Sequence, residues 1–319
     1  MRRPCRCRNH VAFISAGFLL AGAFPGGSAF ARDGFRSAGA KFLTIGGSAR
    51  ALAMGETYLA ERSDPLALFY NPAALPGGLP VRLGLAHNAY FQDAHGEYAA
   101  LSIPRGKLGM GVAMQVFAVN SIPRRTGPTE LPLGEFDAVD AQFSGSVSYP
   151  LSSKVRAGLA IKGVFEKIDT ESASGIAFDL GGTYRITDRV AVGAALNHLG
   201  PEMSFDRATY KLPGLFRLGG SYHTESWTAR GELVSPNNES AKLHVGGEYL
   251  LRVQNERGPA EITDTRLALR AGYVFGYDTR SWAAGFGIGL RHVEIDYAFV
   301  PYDNDLGDTH HFGLTFTLQ

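Results

Sequence analysis

Stretches in which apolar and polar residues alternate recur along most of this 319-residue chain. In the last of them the apolar positions are Phe312, Leu314, Phe316 and Leu318, and the positions between them are Gly313, Thr315 and Thr317. A period of two places the apolar side chains on one face of a β-strand and the polar side chains on the other. The chain is therefore predicted to be all-β, with sheets that are apolar on one face.

About fourteen such stretches follow one another from Leu79 to the C-terminal end. Each has roughly 9–13 residues, which is the length of a tilted strand that crosses a bilayer. The predicted strands are approximately 79–91, 95–103, 107–118, 139–150, 154–166, 174–185, 189–198, 214–223, 226–235, 241–251, 264–275, 281–290, 293–300 and 310–318.

The connections between these strands mostly alternate between tight turns and longer segments. This is the pattern of outer-membrane barrels, where tight turns face the periplasm and longer loops face outward. The longer segments are 119–138, 167–173, 199–213 and 301–309, whereas 252–263 is a long connection on the side of the tight turns.

The first 31 residues are predicted to be a secretory signal peptide. A basic stretch, MRRPCRCRNH, precedes the apolar VAFISAGFLLAGAF, and an A-x-A pattern at Ala29–Ala31 predicts cleavage after Ala31. Cleavage removes Cys5 and Cys7, so the mature chain has no thiol for disulfides, catalysis or metal binding. It also removes four of the 31 basic residues and none of the 30 acidic ones, and no basic patch indicates nucleic-acid binding.

Two folds are compatible with the alternation. A large soluble β-sandwich would also have one apolar face per sheet. The export signal, the even number of strands and the aromatic residues near strand ends favour a transmembrane antiparallel β-barrel of about fourteen strands over residues 79–319, in the bacterial outer membrane and reached by export through the inner membrane.

Residues 32–78 differ from the barrel region and contain DPLALFYNPAALPGG at 64–78. Asp64 is suited to cap a helix, and Pro65 fits its first turn, where no N–H is needed. Asn71 precedes Pro72 and is therefore pushed out of the helical region. We predict one short helix around Pro65–Tyr70, in a segment that plugs the barrel, because a barrel this wide is not filled by its own wall side chains.

The polar face of the predicted strands carries charges of both signs. One interpretation is a salt-bridged lumen that holds the plug, and the other is a polar route for a small solute. The predicted lumen residues are Lys154, Arg156, Lys162, Glu166, Arg217, Arg230, Glu232, Lys242, Glu248, Arg266, Arg270, Glu294 and Asp296.

The sequence contains no pattern that indicates an enzyme. GxSxG, HExxH and P-loop motifs are absent. His310 and His311 are adjacent, so on a strand they face opposite sides and cannot chelate one ion together. No cofactor or metal site is predicted.

Two stretches resemble the PorV/PorQ family of outer-membrane proteins, which is itself similar to the FadL long-chain fatty-acid transporters. They are FLTIGGSARALAMGETYLAERSDPLALFYNPAAL at 42–75 and IDYAFVPYDNDLGDTHHFGLTFTL at 295–318. The resemblance implies a fourteen-stranded barrel with its N-terminal segment folded into the lumen as a hatch. The residues matched to the hatch are Met54, Gly55, Asp64, Pro65, Phe69, Tyr70, Asn71, Pro72 and Ala73.

The same resemblance implies that the last strand, through Phe312, Leu314, Phe316 and Leu318, is recognised by the barrel-assembly machinery. Two positions depart from the family pattern. The chain ends on Leu318-Gln319 where family members often end on an aromatic residue, and it carries Glu56 where the family commonly has a second glycine after Met54-Gly55.

The resemblance supports two functions. The first is a non-enzymatic barrel that binds or shuttles secreted proteins at the outer membrane, with secretion-system subunits as partners and the loops at 119–138 and 199–213 as docking surfaces. The alternative is a FadL-like transporter of hydrophobic small molecules, with an apolar route formed by Leu66, Leu68, Phe69 and Tyr70 against the wall.

The barrel interpretation predicts a characteristic gel behaviour. The protein should sediment with outer membranes, and an unheated sample should migrate faster than a boiled one, because a closed barrel remains compact in detergent until it is heated. A protein found in the soluble fraction whose mobility does not change on boiling would contradict the transmembrane barrel.

Overall fold

The computed structural model describes residues 38–61, 64–75, 77–128, 131–254 and 264–318. The predicted signal peptide, the first residues of the predicted plug segment and most of the predicted connection at 252–263 lie outside these residues.

A closed antiparallel barrel dominates the described part of the chain, and β1 pairs with β16 to close it. The all-β barrel fold predicted from the sequence is thus confirmed, as is the number of fourteen barrel strands. Those strands are β1 (Val81–Ala89), β2 (Ala94–Arg105), β3 (Leu108–Arg124), β4 (Gly134–Pro150), β5 (Val155–Ile168), β6 (Glu171–Arg185), β7 (Val190–Leu199), β10 (Leu215–His223), β11 (Trp227–Pro236), β12 (Lys242–Gln254), β13 (Asp264–Phe275), β14 (Trp282–Leu290), β15 (Val293–Tyr302) and β16 (Gly307–Leu318). A separate hairpin is formed by β8 (Met203–Phe205) and β9 (Ala208–Tyr210).

The two faces of the wall follow the alternation in the sequence. On β5, Leu159 and Ile161 are exposed on the outer surface, whereas Arg156 and Lys162 are buried inside. Exposed leucine, isoleucine, valine and aromatic side chains recur on the outer surface of nearly every barrel strand. An apolar outer surface on a closed sheet is suited to contact with lipid. No helix in the described ranges has the length and hydropathy needed to span a membrane.

The loop predicted at 119–138 is wrong in extent, whereas the one predicted at 199–213 matches the connection between β7 and β10 and contains a hairpin. Most of 119–138 is strand, because β3 and β4 remain paired as far as Arg124 and Gly134, with a register shift between Val119 and Ile122. In the second loop the β8–β9 hairpin folds back, and Met203 and Leu212 are buried. Backbone pairing therefore extends the wall into 119–138, whose described side chains remain mostly exposed, and burial of apolar side chains holds part of 199–213 against the barrel.

The plug segment contains four short helical turns in its described part, where the sequence predicted one. The predicted turn is the 3-10 helix Pro65–Phe69, and the Asp64 side chain accepts a hydrogen bond from Leu66 N as its cap. The others are a 3-10 helix at Lys41–Thr44, an α-helix at Ala49–Ala53 and a 3-10 helix at Pro72–Ala74. Each has only three to five residues, which is too short for a helical period to be visible in the sequence.

The plug runs through the lumen from one end of the barrel to the other. Near its start, Gly39 N donates to Lys211 O in the connection that follows β9. At its end, the Leu75 carbonyl accepts a hydrogen bond from Ser148 close to the turn between β4 and β5. We call the first end the outer end; the connections 200–214 and 276–281 lie there. We call the second end the periplasmic end; β1 begins and β16 ends there.

Inward-facing glycines allow the plug backbone to lie directly against the wall. A Cβ atom on Gly158 would overlap the backbone of Pro72 and Ala73, and one on Gly272 would overlap that of Met54 and Gly55. Gly109 against Leu75, Gly246 against Met54 and Gly193 against Leu59 have the same role. The absence of a side chain at these positions is thus a packing requirement between two backbones.

We expect Gly158→Ala to destabilise the folded barrel, because the new methyl group must displace the plug from the wall. The matched control is Gly163→Ala on the same strand, where a Cβ meets nothing within 4 Å. The measurement is the temperature at which the compact gel form converts to the unfolded one. Equal conversion temperatures for both variants would show that the plug does not pack against β5.

Candidate functional site

The wall and the plug are joined by buried ion pairs in the middle of the lumen. Arg50 of the plug donates from Nη2 to Glu248 Oε1 at 2.9 Å. Arg270 donates from Nε to Glu248 Oε2 at 2.7 Å and from Nη1 to Asp296 Oδ1 at 2.6 Å. One wall carboxylate therefore lies between a plug cation and a wall cation, which links β12, β13 and β15 to the plug.

A second set of wall charges holds the plug between residues 57 and 61. Arg230 pairs with Glu61 and donates from Nη1 to Thr57 O at 3.2 Å. Glu232 Oε2 accepts from Tyr58 N at 3.1 Å, and its Oε1 pairs with Arg217 at 2.7 Å. Glu232 thus satisfies a plug backbone donor and a wall cation at the same time.

Neutral and charged side chains on β4 to β7 hold the periplasmic half of the plug. Arg156 donates from Nη1 to Leu75 O at 3.2 Å, and Asn197 donates from Nδ2 to Tyr70 O at 3.3 Å. Lys162 behaves differently, because its ammonium pairs with Asp179 of the neighbouring strand at 2.7 Å.

The sequence-predicted lumen residues Arg156, Lys162, Arg230, Glu232, Glu248, Arg270 and Asp296 are all buried inside the barrel. Lys154 was also predicted to face the lumen, and this was wrong. It lies in the exposed turn before β5, because the strand begins one residue later than the alternation suggested.

The residues matched to the hatch lie together against the wall. Asn71 Oδ1 accepts from Ala73 N at 2.9 Å, while its Nδ2 donates to Leu59 O at 2.8 Å and to Gly182 O on β6 at 3.3 Å. Asn71 therefore joins two parts of the plug and the wall. Pro65, Phe69 and Pro72 belong to the adjoining 3-10 turns, and the Met54 side chain is fully buried.

Two further hatch residues are buried polar groups. The carboxylate of Asp64 accepts hydrogen bonds from Leu66 N, Ser48 Oγ and the Tyr58 hydroxyl, and burial raises the pKa of Asp64 above its usual range. The Tyr70 ring lies under the Arg217 guanidinium, 5.2 Å from its carbon. Leu66 and Leu68, predicted as part of an apolar route, pack against Ala86, Tyr98 and Ala113 of the wall.

A cavity of about 320 Å³ lies at the outer end of the lumen, above the plug. Its aromatic lining comprises Tyr90, Phe91, Phe117, Tyr277 and Tyr302, and its charged lining comprises Lys41, Glu56, Arg217, Glu239 and Arg280. Leu52 of the plug and Ala94, Leu215 and Val234 of the wall complete much of the apolar surface.

The ion pair between Glu56 and Arg280 joins the plug to the connection between β13 and β14. Arg280 Nη1 donates to Glu56 Oε1 at 3.0 Å, and its guanidinium carbon lies 4.7 Å above the Tyr277 ring. Burial alone would raise the pKa of Glu56, but Arg280, His244 and Arg217 outweigh it and hold this pKa at about 2. Glu56 is therefore a carboxylate at neutral pH.

The sequence analysis did not identify this cavity. Three of its five aromatic residues, Tyr90, Phe91 and Tyr277, lie in the stretches NAYFQD and FGYDTRSW, at or just beyond the ends of predicted strands. Their high aromatic content was the available signal. Within the described ranges, no group of three or more histidine, cysteine, aspartate or glutamate side chains is placed to hold a metal ion.

The four residues proposed as the C-terminal assembly signal lie on β16. Phe312, Leu314 and Leu318 are exposed on the outer surface, and Phe316 is half-buried. Their recognition by the barrel-assembly machinery stays a prediction.

No protein-family model matches the chain, and no curated protein matches it. Several solved structures of β-barrels are similar to this chain. The toluene transporter TbuX of Ralstonia pickettii has a TM-score of 0.59 and 14% identity, covering 86% of this chain and 99% of that one. The toluene transporter TodX of Pseudomonas putida has a TM-score of 0.59 and 14% identity, and the match covers 85% of this chain and 96% of that one.

A FadL homologue of Pseudomonas aeruginosa also matches, with a TM-score of 0.53 and 12% identity, covering 90% of this chain and 100% of that one. The class defined by the structure is therefore a closed fourteen-strand barrel with a filled lumen. Within that class, its fold is similar to that of the FadL and TodX barrels.

We expect Glu248→Gln to destabilise the barrel by an amount on the order of 3 kcal/mol, because it leaves Arg50 and Arg270 buried without their shared countercharge. The matched control is Glu97→Gln on the outer surface, where Glu97 contacts only the half-exposed His87 among the described contacts. Thermal conversion of the compact gel form measures the effect. A conversion temperature for Glu248→Gln equal to that of the control would show that the central ion pairs do not hold the plug.

Proposed function

We propose that this barrel carries small apolar molecules across the outer membrane, as a FadL-like transporter. The observation that carries the proposal is the outer cavity, which is lined by aromatic and aliphatic side chains and ends on the plug. Concave sites with mostly apolar walls and a few polar groups are typical of small-molecule binding.

The size of the cavity suits compounds with one or two rings. A dry apolar cavity of about 150 Å³ is enough to bind benzene. The outer cavity has about 320 Å³, roughly twice that volume. A compound of this size would be surrounded by rings on several sides.

The filled lumen is the second support for a selective transporter. Buried charges of the plug are paired with wall charges, as in Arg50–Glu248 and Glu61–Arg230. Breaking a buried pair costs about 3–5 kcal/mol. Removal of the whole plug would break several pairs at once, so passage through local openings beside the plug is favoured over an open pore.

The structural neighbours agree with this class of function. Two of them are described as toluene transporters and a third as a FadL homologue. Because their identity to this chain is low, they support the proposal through the shared fold only.

Binding or shuttling of secreted proteins, as in the PorV/PorQ resemblance, stays a prediction. Of the docking surfaces assigned to it, 119–138 is largely paired strand with exposed side chains, and part of 199–213 packs against the barrel through Met203 and Leu212. No observation in the described residues favours a secretion role over transport.

Filling the cavity should abolish uptake. Ala94 lines the cavity at the start of β2, so the indole ring of Ala94→Trp should occupy the cavity. The rate of uptake of radiolabelled naphthalene should then fall to a small fraction of the wild-type rate. The matched control is Ala99→Trp on the outward face of the same strand. The measurement is the initial uptake rate in cells whose only copy of the gene is the variant. Uptake that does not depend on the protein, or that Ala94→Trp leaves unchanged, would contradict the proposed function.

A further inference from the structure

Glu56 occupies a backbone conformation that favours glycine. The φ angle of Glu56 is +62°, and that of the preceding residue, Gly55, is +64°. Two successive residues of the plug therefore have a left-handed backbone conformation. Non-glycine residues with positive φ are uncommon, and asparagine and aspartate account for many of them. Glu56 is also only 4% exposed. A buried charged residue at such a position indicates that its side chain has a use beyond the turn itself.

The use that the structure shows is neutralisation of Arg280. The carboxylate of Glu56 accepts from Arg280 Nη1 at 3.0 Å, and both side chains line the outer cavity. His244 and Arg217 also act on Glu56 electrostatically, and the ionisable groups coupled to it further include Tyr70, Tyr90, Tyr98, Tyr277, Tyr302 and His311. Without Glu56, the Arg280 guanidinium would present an unbalanced positive charge to the cavity.

The other cations that line the cavity are also balanced by carboxylates. Arg217 pairs with Glu232 at 2.7 Å, and Lys41 pairs with Glu239 at 3.0 Å. An anion that entered the cavity would therefore have to displace a carboxylate from its cation or remain without a partner. Both are unfavourable for a charged group that gives up part of its contact with water.

We propose that Glu56 makes the outer cavity selective for neutral ring compounds and excludes their carboxylate counterparts, by occupying Arg280. This inference rests on the proposed function and deepens it, since it names the class of molecule that the cavity accepts. The ring of the ligand contacts aromatic side chains such as Phe91 and Phe117, and the Glu56–Arg280 ion pair forms a polar wall without net charge.

Two probes of equal size test the charge preference. 1-Acetylnaphthalene and 1-naphthoate have the same number of non-hydrogen atoms and differ in charge at neutral pH. Their affinities for the purified full-length mature barrel in amphipol are measured by isothermal titration calorimetry, with amphipol alone as the blank. The wild-type protein should bind the neutral ketone and should bind the carboxylate at least about tenfold more weakly. This is the ratio of affinities expected when the carboxylate cannot form one charge-assisted hydrogen bond.

Glu56→Gln provides the test by gain of binding. It removes the negative charge that balances the Arg280 guanidinium while keeping the size of the side chain, so the affinity for 1-naphthoate relative to the ketone should rise about tenfold or more. The double variant Glu56→Gln with Arg280→Gln is the matched control, in which this relative gain should disappear. Migration of the unheated protein on gels shows that each variant is folded.

The outcomes separate the two proposals. If the wild-type protein binds neither probe, the cavity is not a site for ring compounds and the proposed function fails with this inference. If the wild-type protein binds both probes equally, or if folded Glu56→Gln shows no relative gain for 1-naphthoate, the role of Glu56 is wrong while transport stands. If Glu56→Gln does not fold, the comparison of the two probes on the wild-type protein decides.

Discussion

Closure of the sheet between β1 and β16 is the constraint on which the rest of the structure depends. A strand in lipid has no water to satisfy its backbone, so each N–H and C=O of the wall must pair with a neighbouring strand. Nine residue pairs, from Val81–Leu318 to Ala89–His310, complete the ring. A ring of fourteen strands encloses a space that its own side chains cannot fill, so the chain must supply something else to fill it.

The plug fills that space because the wall matches it in two ways. Glycines such as Gly158 and Gly272 allow backbone to lie against backbone, and charges such as Glu232 and Arg230 bond to the plug where larger gaps remain. A buried polar network of this kind is stable only when its members are satisfied together. The same charges that make the lumen polar therefore hold the plug.

The sequence predicts the wall better than the plug, for a physical reason. Alternation is a local property, so the strands and the inward position of residues such as Arg270 can be recognised without knowledge of the fold. The residues with which they pair cannot be recognised in this way. Arg280 and Glu56 are 224 positions apart, and only the closed barrel and the path of the plug bring them together. The start of β5 after Lys154 and the folding of the β8–β9 hairpin were not predicted for the same reason, because tertiary contacts decide where a strand begins and whether a loop packs inward.

The plug is anchored unevenly, and this bears on the proposed passage of small molecules beside it. Between residues 50 and 61, buried ion pairs cost several kilocalories per mole to break. Between 38 and 47, the anchors include Ala40 N to Glu166, Gln115 to Phe42 O and an exposed Lys41–Glu239 pair. Ordinary hydrogen bonds contribute about 0.5–1.5 kcal/mol each, and exposed ion pairs contribute about 0–1 kcal/mol. Phe42 and Leu43 add buried apolar contacts to this part. Because Lys41, Thr44 and Ile45 line the cavity together with Leu52 and Glu56, a molecule in the proposed site would touch both the hydrogen-bonded part of the plug and the part held by buried ion pairs.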